Sequence, residues 1–433
     1  MSDVRAVTTA DGPVVARVRV PPSKSIANRA LICATLAEGR SEIVGIAPGD
    51  DTVAMVECLE ALGTPIEIST LDGTTTAVVT GTGGALAPGP IRLDTRLAGT
   101  TSRFVTAVAA LGPGPYEIDG DPPLRARPMG PLHDSLHALG ARIEPAGSWG
   151  HLPVTVSGPV GGADALVMPG DVSSQFVTAL MLVAPLIRDG LRLGLSSELV
   201  SRPYIEITRA VMGAFGADEV DIAQRHVHVG EGRYRARAYE VEPDASSASY
   251  PLAAAAIAGG AVAVPGLGRS SLQGDAAFGS IVEAMGCLVT LAETDTVVMR
   301  RADAALRGVD VDMADVSDLV PTVAVLAATA EGTTRITGVG FIRGKESDRL
   351  GDLATELAKT GAAVTVDDDG LTIEGGRPLH GARLETHHDH RLAMAFGVLG
   401  LAVPGIEVVD PGVVTKSWPG FWEALDSIPA SVA

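Results

Sequence analysis

A helix-like stretch that closes on glycine and leads into a strand-like run recurs along this sequence. Typical copies read VECLEALGTPIEI and LHDSLHALGARIEP. Glycine readily ends a helix in the left-handed conformation, so each copy predicts a helix followed by a turn and a strand. A sixth candidate, FWEALDSI, lies near residue 425. The closing glycines are 77, 76, 70 and 75 residues apart and are Gly63, Gly140, Gly216, Gly286 and Gly361.

A second kind of helix-like segment recurs at nearly the same period and is apolar on all sides. Examples are SIANRALICATLAEG and SASYPLAAAAIAGG. A helix that is apolar all round is buried, so these segments predict helices inside the fold. The polar residues that open the six copies are 76, 73, 73, 72 and 71 residues apart and are Lys24, Thr100, Ser173, Ser246, Asp318 and Asp389.

Together, one buried helix, one amphipathic helix and strand-like runs such as LTIEGG make a unit of roughly 70 residues that occurs six times. A chain of 433 residues is too long for one ordinary core. We therefore expect an α/β fold in two domains of three units each, facing each other across a cleft. Buried helices that open with Ser, Thr or Asp present unpaired N–H groups and positive dipole ends, where anions bind.

The charge pattern narrows the class of ligand. A net charge of −19 argues against a nucleic acid or an anionic membrane as partner, because both require a basic face. A small anionic ligand requires only that a few cations gather in one place. Lysine is scarce, and Lys24, Lys345 and Lys416 fall at the starts of predicted buried helices or in nearby polar loops. Lys359 lies on an amphipathic helix, where we expect it to be solvated.

The start of the sequence, MSDVRAVTTADGP, has no basic stretch followed by an apolar one, and no later run is long and apolar enough to span a membrane. We therefore expect a cytoplasmic protein. The cysteines are Cys33, Cys58 and Cys287. They are odd in number and lack metal-ligand spacing, which predicts buried core thiols.

Several motifs at the predicted helix starts, read in order, resemble the enolpyruvyl transferase family, and within it the branch that acts on shikimate 3-phosphate. They are SKSIANRAL, DVSSQF, KESDRL and DHRLAM, and the resemblance runs from about Val20 to Phe421. The resemblance implies two domains, each a ring of three βαβαββ units with buried parallel helices, of the inverse α/β barrel type. One domain would span 22–242. The other would combine 1–21 with 243–433.

The family's reaction transfers the enolpyruvyl group of phosphoenolpyruvate by addition and elimination. A substrate hydroxyl adds to C2 while C3 is protonated, and phosphate then leaves as C3 returns a proton. By resemblance, Asp318 is the base for the hydroxyl and Glu346 the acid and base at the methylene carbon. Lys24 and Lys345 would supply positive charge. The group that protonates the methylene carbon remains open among Glu346, Lys24 and Lys345.

The resemblance also assigns binding residues. Arginine suits phosphoenolpyruvate, since its planar donors match carboxylate and phosphate, and a glycine lets a ligand approach the main chain. The implied shikimate 3-phosphate ligands are Lys24, Ser25, Arg29, Ser173, Ser174, Gln175, Ser201, Tyr204, Asp318 and Lys345. The implied phosphoenolpyruvate ligands are Lys24, Gly99, Arg127, Gln175, Arg349, Arg391 and Lys416. The 22–242 domain would carry most of the first set. The other domain would carry Asp318, Glu346 and most of the second set.

Three positions depart from the family's common residues. Leu97 and Phe104, beside the phosphoenolpyruvate loop, stand where asparagine and proline are frequent. Val413 replaces a frequent cysteine. Gly99, in the same loop, is kept.

Three other interpretations compete with this one. The sister enzyme that acts on UDP-N-acetylglucosamine has a similar fold, but it opens with a Lys-Asn pair and carries a reactive cysteine on a mobile loop, whereas here the pair is Lys24-Ser25. The run HHDHR at 387–391 could indicate a metal-binding module, although neighbours in sequence rarely face one ion. A non-catalytic repeat scaffold would leave the clustered cations unexplained. The resemblance implies no metal or organic cofactor, small-molecule substrates and a monomer.

Overall fold

The computed structural model describes residues 3–47, 49–162 and 165–430. In this part of the chain no helix is long and apolar enough to cross a membrane. The α-helices are α1 (Lys24–Leu36), α2 (Asp50–Ala61), α3 (Gly99–Ala109), α4 (Pro122–Arg125), α5 (Gly130–Ala138), α6 (Ser174–Val183), α7 (Arg202–Ala214), α8 (Ala245–Ala258), α9 (Phe278–Ala284), α10 (Val320–Thr329), α11 (Gly351–Ala358), α12 (His390–Gly400) and α13 (Phe421–Ala430).

Most of the strands are short. They are β1 (Val4–Ala6), β2 (Val14–Arg17), β3 (Glu38–Val44), β4 (Ile66–Leu71), β5 (Thr74–Thr82), β6 (Ile91–Asp94), β7 (Tyr116–Asp119), β8 (Arg142–Pro145), β9 (Val154–Ser157), β10 (Leu166–Met168), β11 (Leu191–Leu195), β12 (Val220–Ile222), β13 (His226–Val229), β14 (Ala238–Glu240), β15 (Gly260–Pro265), β16 (Leu288–Leu291), β17 (Asp295–Arg300), β18 (Asp310–Asp312), β19 (Thr333–Thr337), β20 (Ala363–Val366), β21 (Leu371–Glu374), β22 (Arg383–Glu385) and β23 (Glu407–Val409).

Within the described residues these strands form six small sheets, five of four strands and one of three. In each four-stranded sheet one outer pair is parallel and the other two pairings are antiparallel, as in β6-β7-β9-β8. The three-stranded sheet of β22, β23 and β1 has one parallel and one antiparallel pairing. The predicted α/β class is confirmed. Five sheets that share this pattern, and a sixth that lacks one antiparallel strand, are consistent with six repeated units.

The chain divides into two compact units, Pro22–Val241 and Met1–Pro21 with Glu242–Ala433. We call them the 22–241 unit and the 242–433 unit, and each has its own hydrophobic core. In the 22–241 unit, α1, α3 and α6 contact one another. In the 242–433 unit, α8, α10 and α12 do the same. Each core is therefore built around three mutually packed helices.

These six helices are the segments that are apolar on all sides, and their burial confirms the prediction. In α8, for example, every residue from Ala245 to Ile257 is buried. Alanine fills most of the second half of α8 and leaves little side-chain volume between neighbouring elements. Close packing of small side chains explains how the protein fills its cores although only 3% of its residues are aromatic.

The glycines that close the amphipathic helices have the conformation that the sequence predicts. All five have positive φ, with Gly63 at 97°, Gly140 at 98°, Gly216 at 88°, Gly286 at 104° and Gly361 at 90°. A side chain disfavours this left-handed region, so glycine is required wherever the chain turns from helix to strand at this point.

The three cysteines lie in the cores, as predicted. Burial raises the pKa of Cys33 and Cys58 to about 12 and that of Cys287 to about 11. Thiols with such pKa values are almost entirely protonated near neutral pH and are poor nucleophiles.

Two glycines of the 22–241 unit test whether positive φ, rather than lack of space, requires glycine at the helix ends. A methyl group on Gly140 would meet nothing within 4 Å, so Gly140→Ala carries mainly the penalty of positive φ. We expect it to destabilise the protein by roughly 1–2 kcal/mol. Gly213→Ala, inside α7 and with only an ordinary contact to Asp218, should stabilise it by about 0.5–1 kcal/mol. Urea denaturation measures both, and equal effects would contradict the turn assignment.

Candidate active site

Arg349 is the hub of an ion-pair cluster in the 242–433 unit. It lies just before α11, and its side chain is 1% exposed. Nε donates to Asp389 at 2.7 Å, Nη1 to Asp318 at 2.8 Å and Nη2 to Glu346 at 2.7 Å. A buried guanidinium requires such partners, since removing its hydration is costly. Arg349 therefore fixes three carboxylates relative to one another.

Asp318 lies in a 3₁₀ helix, Ser317–Leu319, that leads into α10. Its Oδ2 accepts a hydrogen bond of 2.7 Å from Arg391 Nη2, and its Oδ1 lies 3.5 Å from Lys345 Nζ in addition to the bond from Arg349. Burial alone would raise the pKa of Asp318, but Arg391, Lys345 and Arg349 together hold it well below its usual value of 3.8. The carboxylate is therefore ionised at neutral pH.

Glu346 completes the cluster. Its Oε2 accepts from Arg349, and its Oε1 lies 3.3 Å from Nζ of Lys416, the last residue of a 3₁₀ helix, Pro411–Lys416. Burial lowers the pKa of Lys345. We name the set the Asp318 cluster, and it contains three acids, Asp318, Glu346 and Asp389, and four bases, Lys345, Arg349, Arg391 and Lys416.

Four bases against three acids give the Asp318 cluster an excess of one positive charge when all are ionised. The chain as a whole carries −19. A local positive excess in an acidic protein is the arrangement that a small anion requires. Two of the bases, Arg391 and Lys416, are 11% and 9% exposed at their side chains, whereas Arg349 is enclosed.

The helix starts explain why these residues meet. Asp389 is the N-cap of α12, where its Oδ1 accepts from the backbone N–H of Arg391 at 2.9 Å. An aspartate is favoured at this position because it satisfies one of the open N–H groups of a helix. Since α10 and α12 pack on each other, their first residues supply Asp318 and Arg391 to the same place.

Asp275 is a buried acid beside the Asp318 cluster that the sequence did not indicate. It accepts a hydrogen bond from the hydroxyl of Ser246 at the start of α8. Burial, and next the charge of Asp318, raise the pKa of Asp275 to about 7. The signal was present in part, since Ser246 opens one of the six buried helices.

In the 22–241 unit, Lys24 is the first residue of α1. Its Nζ donates to Oδ2 of Asp51 at 2.7 Å, and Asp51 is buried in the first turn of α2. Thr101 Oγ1 donates to the backbone carbonyl of Asp51 at 3.0 Å, which ties α2 to α3. Asp51, which the sequence did not indicate, is thus the partner of the predicted site residue Lys24.

Gly99, the first residue of α3, lies beneath two guanidinium groups. A methyl group there would stand 2.7 Å from Arg127 Nη1 and 2.8 Å from Arg103 Nη1. Arg103 donates to Gln175 Oε1 at 2.7 Å, and Gln175 Nε2 donates to Thr100 Oγ1 at 3.2 Å. The structure therefore brings the predicted residues Gly99, Arg127 and Gln175 together, and it adds Arg103.

The serines and the tyrosine that were predicted lie at helix starts in the same unit. Ser173 caps α6 by accepting from the N–H of Gln175 at 3.3 Å, and Ser174 is the first residue of the helix. Ser201 precedes α7 with a φ of 54°, a conformation uncommon for serine, and Tyr204 follows in the first turn.

Arg29, an implied shikimate 3-phosphate ligand, lies near the start of α1. Its side chain is buried and donates to Thr208 Oγ1 at 2.8 Å, to the carbonyl of Ser25 at 2.7 Å and to the carbonyl of Tyr204 at 3.2 Å. Burial lowers the pKa of Arg29 to about 10. Phe104, one of the departures from the family pattern, places its ring 5.4 Å from this guanidinium.

The histidines near α12 contact different partners. His387 Nε2 lies 2.9 Å from Glu356, His388 Nδ1 lies 3.2 Å from Asp410, and His390 is buried in α12. In the described residues no group of three or more His, Cys, Asp or Glu side chains could hold a metal ion. The metal-module interpretation is therefore not supported. His226 and His228 lie two residues apart on β13.

Asp318→Asn tests the electrostatics of the cluster. Removing one acid of a buried network should cost about 3–5 kcal/mol at pH 7. Because the pKa of Asp318 is lowered in the folded protein, its contribution is complete above about pH 4 and is lost as the pH falls further. Because the charge of Asp318 also raises the pKa of Asp275, the test is confined to pH values below about 4.5, where the stability difference between wild type and variant should shrink as the pH falls. Denaturation over this range measures it, and a difference that grows on acidification would contradict the assignment.

Comparisons with known proteins indicate the family. Residues 8–425 match the family model of EPSP synthase (3-phosphoshikimate 1-carboxyvinyltransferase). The chain is 44% identical over 416 residues to the 3-phosphoshikimate 1-carboxyvinyltransferase of Methanoculleus marisnigri, covering 96% of this chain and 97% of that one. It is 41% identical to the enzyme of the same name from Thiobacillus denitrificans, with 95% and 96% covered. The solved structure of EPSP synthase from Acinetobacter baumannii superposes with a TM-score of 0.81 at 25% identity over 98% of both chains. The chain therefore belongs to the EPSP synthase family.

Proposed function

We propose that this chain is a 3-phosphoshikimate 1-carboxyvinyltransferase, which transfers the enolpyruvyl group of phosphoenolpyruvate to the 5-hydroxyl of shikimate 3-phosphate and releases phosphate. This reaction is a step of the shikimate pathway towards aromatic amino acids. The observation that carries the proposal is the Asp318 cluster, in which the partly buried carboxylate of Asp318 contacts three cations. The chain matches the family model over residues 8–425.

The reaction requires a base at the substrate hydroxyl and a group that first gives C3 a proton and then removes one. The substrate hydroxyl loses its proton to Asp318 as its oxygen bonds to C2 of phosphoenolpyruvate, and C3 gains a proton. In the second step the bond from C2 to the phosphate oxygen breaks, and C3 gives up a proton. Glu346 is the proposed acid and base at C3, with Lys24 and Lys345 as the other candidates for proton delivery.

The free protein holds Asp318 in a weakly basic state, because three cations stabilise its charge. Binding of phosphoenolpyruvate at Arg391 and of shikimate 3-phosphate at Lys345 would draw part of that stabilisation away. The pKa of Asp318 would then rise towards its ordinary value or above it. Asp318 would become a better base only when the anion is in place, so substrate binding and activation of the base are linked.

We assign phosphoenolpyruvate to the cations on each unit. Arg391 and Lys416 are the ligands in the 242–433 unit, and Arg349, whose three nitrogens each contact a carboxylate, supports them by fixing Asp318 and Glu346. In the 22–241 unit the assigned ligands are Lys24, Gly99, Arg127 and Gln175. Shikimate 3-phosphate is assigned to Lys24, Ser25, Ser173, Ser174, Gln175, Ser201, Tyr204, Asp318 and Lys345.

By resemblance, Arg29 belongs to the ligands of shikimate 3-phosphate. Its contacts support a positioning role. By bonding to the carbonyls of Ser25 and Tyr204, it holds the first turns of α1 and α7 in a fixed relation. The cytoplasmic location and the monomeric state stay predictions.

The sister reaction with UDP-N-acetylglucosamine is not favoured. The relatives described above share the name of the shikimate enzyme at 41% and 44% identity over nearly the whole chain. The three cysteines are buried, with raised pKa values, and cannot serve as the reactive cysteine of that enzyme.

Release of inorganic phosphate from phosphoenolpyruvate tests the proposal directly. With shikimate 3-phosphate as acceptor we expect steady release of phosphate, together with an enolpyruvyl ether product detected by mass spectrometry. With UDP-N-acetylglucosamine, or with no acceptor, we expect none. Release only with the UDP sugar, or with neither acceptor, would refute the assignment.

A further inference from the structure

Glu356 is a buried carboxylate of α11 that the proposed chemistry does not use. Its side chain is 1% exposed. Oε2 accepts from Lys359 Nζ at 2.6 Å and from the backbone N–H of Glu385 at 2.9 Å, and Oε1 lies 2.9 Å from His387 Nε2. Lys359, expected to be only solvated, is therefore the counter-ion of a buried acid, although 40% of its side chain is exposed.

The segment that Glu356 contacts is a strained turn between β22 and α12. His387 and His388 have φ values of 51° and 58°, and the N–H of Asp389 donates to the carbonyl three residues earlier at 2.8 Å. Two consecutive non-glycine residues with positive φ are unfavourable and persist only where surrounding contacts hold them. Glu356 holds His387, and Asp410 Oδ2 lies 3.2 Å from the ring of His388.

This turn ends at the Asp318 cluster. Asp389, its last residue, is fully buried and accepts from Arg349 Nε at 2.7 Å and from the N–H of Arg391 at 2.9 Å. A displacement of the turn would move the N-cap of α12, and with it both arginines. The contacts of Glu356 therefore reach the cations through the backbone of the turn.

We propose that Glu356, with Lys359 as its counter-ion, is a positioning residue that holds the 386–389 turn in its left-handed conformation and so places Asp389 and Arg391 for phosphoenolpyruvate. The inference rests on the proposed function, because its test measures KM for phosphoenolpyruvate. Glu356 does not touch substrate in this account. Its effect passes through the turn.

Glu356→Gln is the main test. The amide offers one acceptor oxygen instead of two and places N–H groups beside the ammonium of Lys359. We expect KM for phosphoenolpyruvate to rise roughly tenfold to a hundredfold, since small misplacements of aligned groups carry penalties of this size. KM for shikimate 3-phosphate should change far less, because only Asp318 and Lys345 among its assigned ligands lie in the 242–433 unit. A general loss of folded enzyme would instead lower kcat and leave both KM values as they were.

A rescue separates turn geometry from other consequences of the change. Asparagine followed by glycine adopts two positive φ values readily. Adding His387→Asn and His388→Gly to Glu356→Gln should therefore restore most of the affinity for phosphoenolpyruvate. Glu374→Gln is the matched control, since Glu374 pairs with Arg377 at the same spacing but on the surface, and it should change neither KM.

If Glu356→Gln does not fold, Glu356→Asp serves instead. It keeps the charge near Lys359 but is too short to reach all three partners, and it should raise KM for phosphoenolpyruvate in the same direction. An unchanged KM for phosphoenolpyruvate, or a raised one that the asparagine and glycine pair leaves raised, overturns the inference. Phosphate release by the wild type, measured first with shikimate 3-phosphate, shows separately whether the proposed function stands.

Discussion

The ion pairs of Arg349 are the constraint on which the rest of the site depends. One enclosed guanidinium binds Asp318, Glu346 and Asp389, so three carboxylates from different segments are held within reach of the cations that an anionic substrate requires. Burying such charges is costly, and a network of this kind is maintained only when every member is paired. Helix starts meet this need, because the packed helices α10 and α12 deliver Asp318 and Arg391 to one place.

The same logic accounts for the scarce lysines. Arginine supplies most of the positive charge of this chain. Each lysine forms an ion pair with an acid of its own unit. Each of these acids lies in, or contacts, the start of a helix or a turn next to one. Lysine has a compact ammonium group on a flexible chain, so it can exchange a protein carboxylate for a substrate anion as its partner. The pairs are Lys24 with Asp51, Lys345 with Asp318, Lys359 with Glu356 and Lys416 with Glu346.

Much of the architecture could be predicted from the sequence because it depends on interactions between residues that are close together in the chain. Burial of the apolar helices follows from periodicity, and the positive φ of Gly63 and its counterparts follows from the absence of a side chain. The direction of a long polar side chain is not local. The bonds from Arg29 to backbone carbonyls could not be predicted, and Lys359, predicted to be solvated, neutralises Glu356. Arg29 depends on Tyr204, which only the fold brings near, whereas Glu356 is three residues from Lys359 and only its burial depends on the fold.

Surrounding cations stabilise the charge of Asp318 in the free protein, and substrate binding to those cations makes Asp318 a stronger base. Turnover of Asp318→Asn, compared with its affinity for shikimate 3-phosphate by calorimetry, tests this most directly, with Asp310→Asn, from an exposed ion pair, as control. The account predicts a fall in kcat of at least roughly 100-fold in folded variant enzyme. Shikimate 3-phosphate should still bind, and the control should be unaffected. Near-normal turnover of Asp318→Asn would contradict the account.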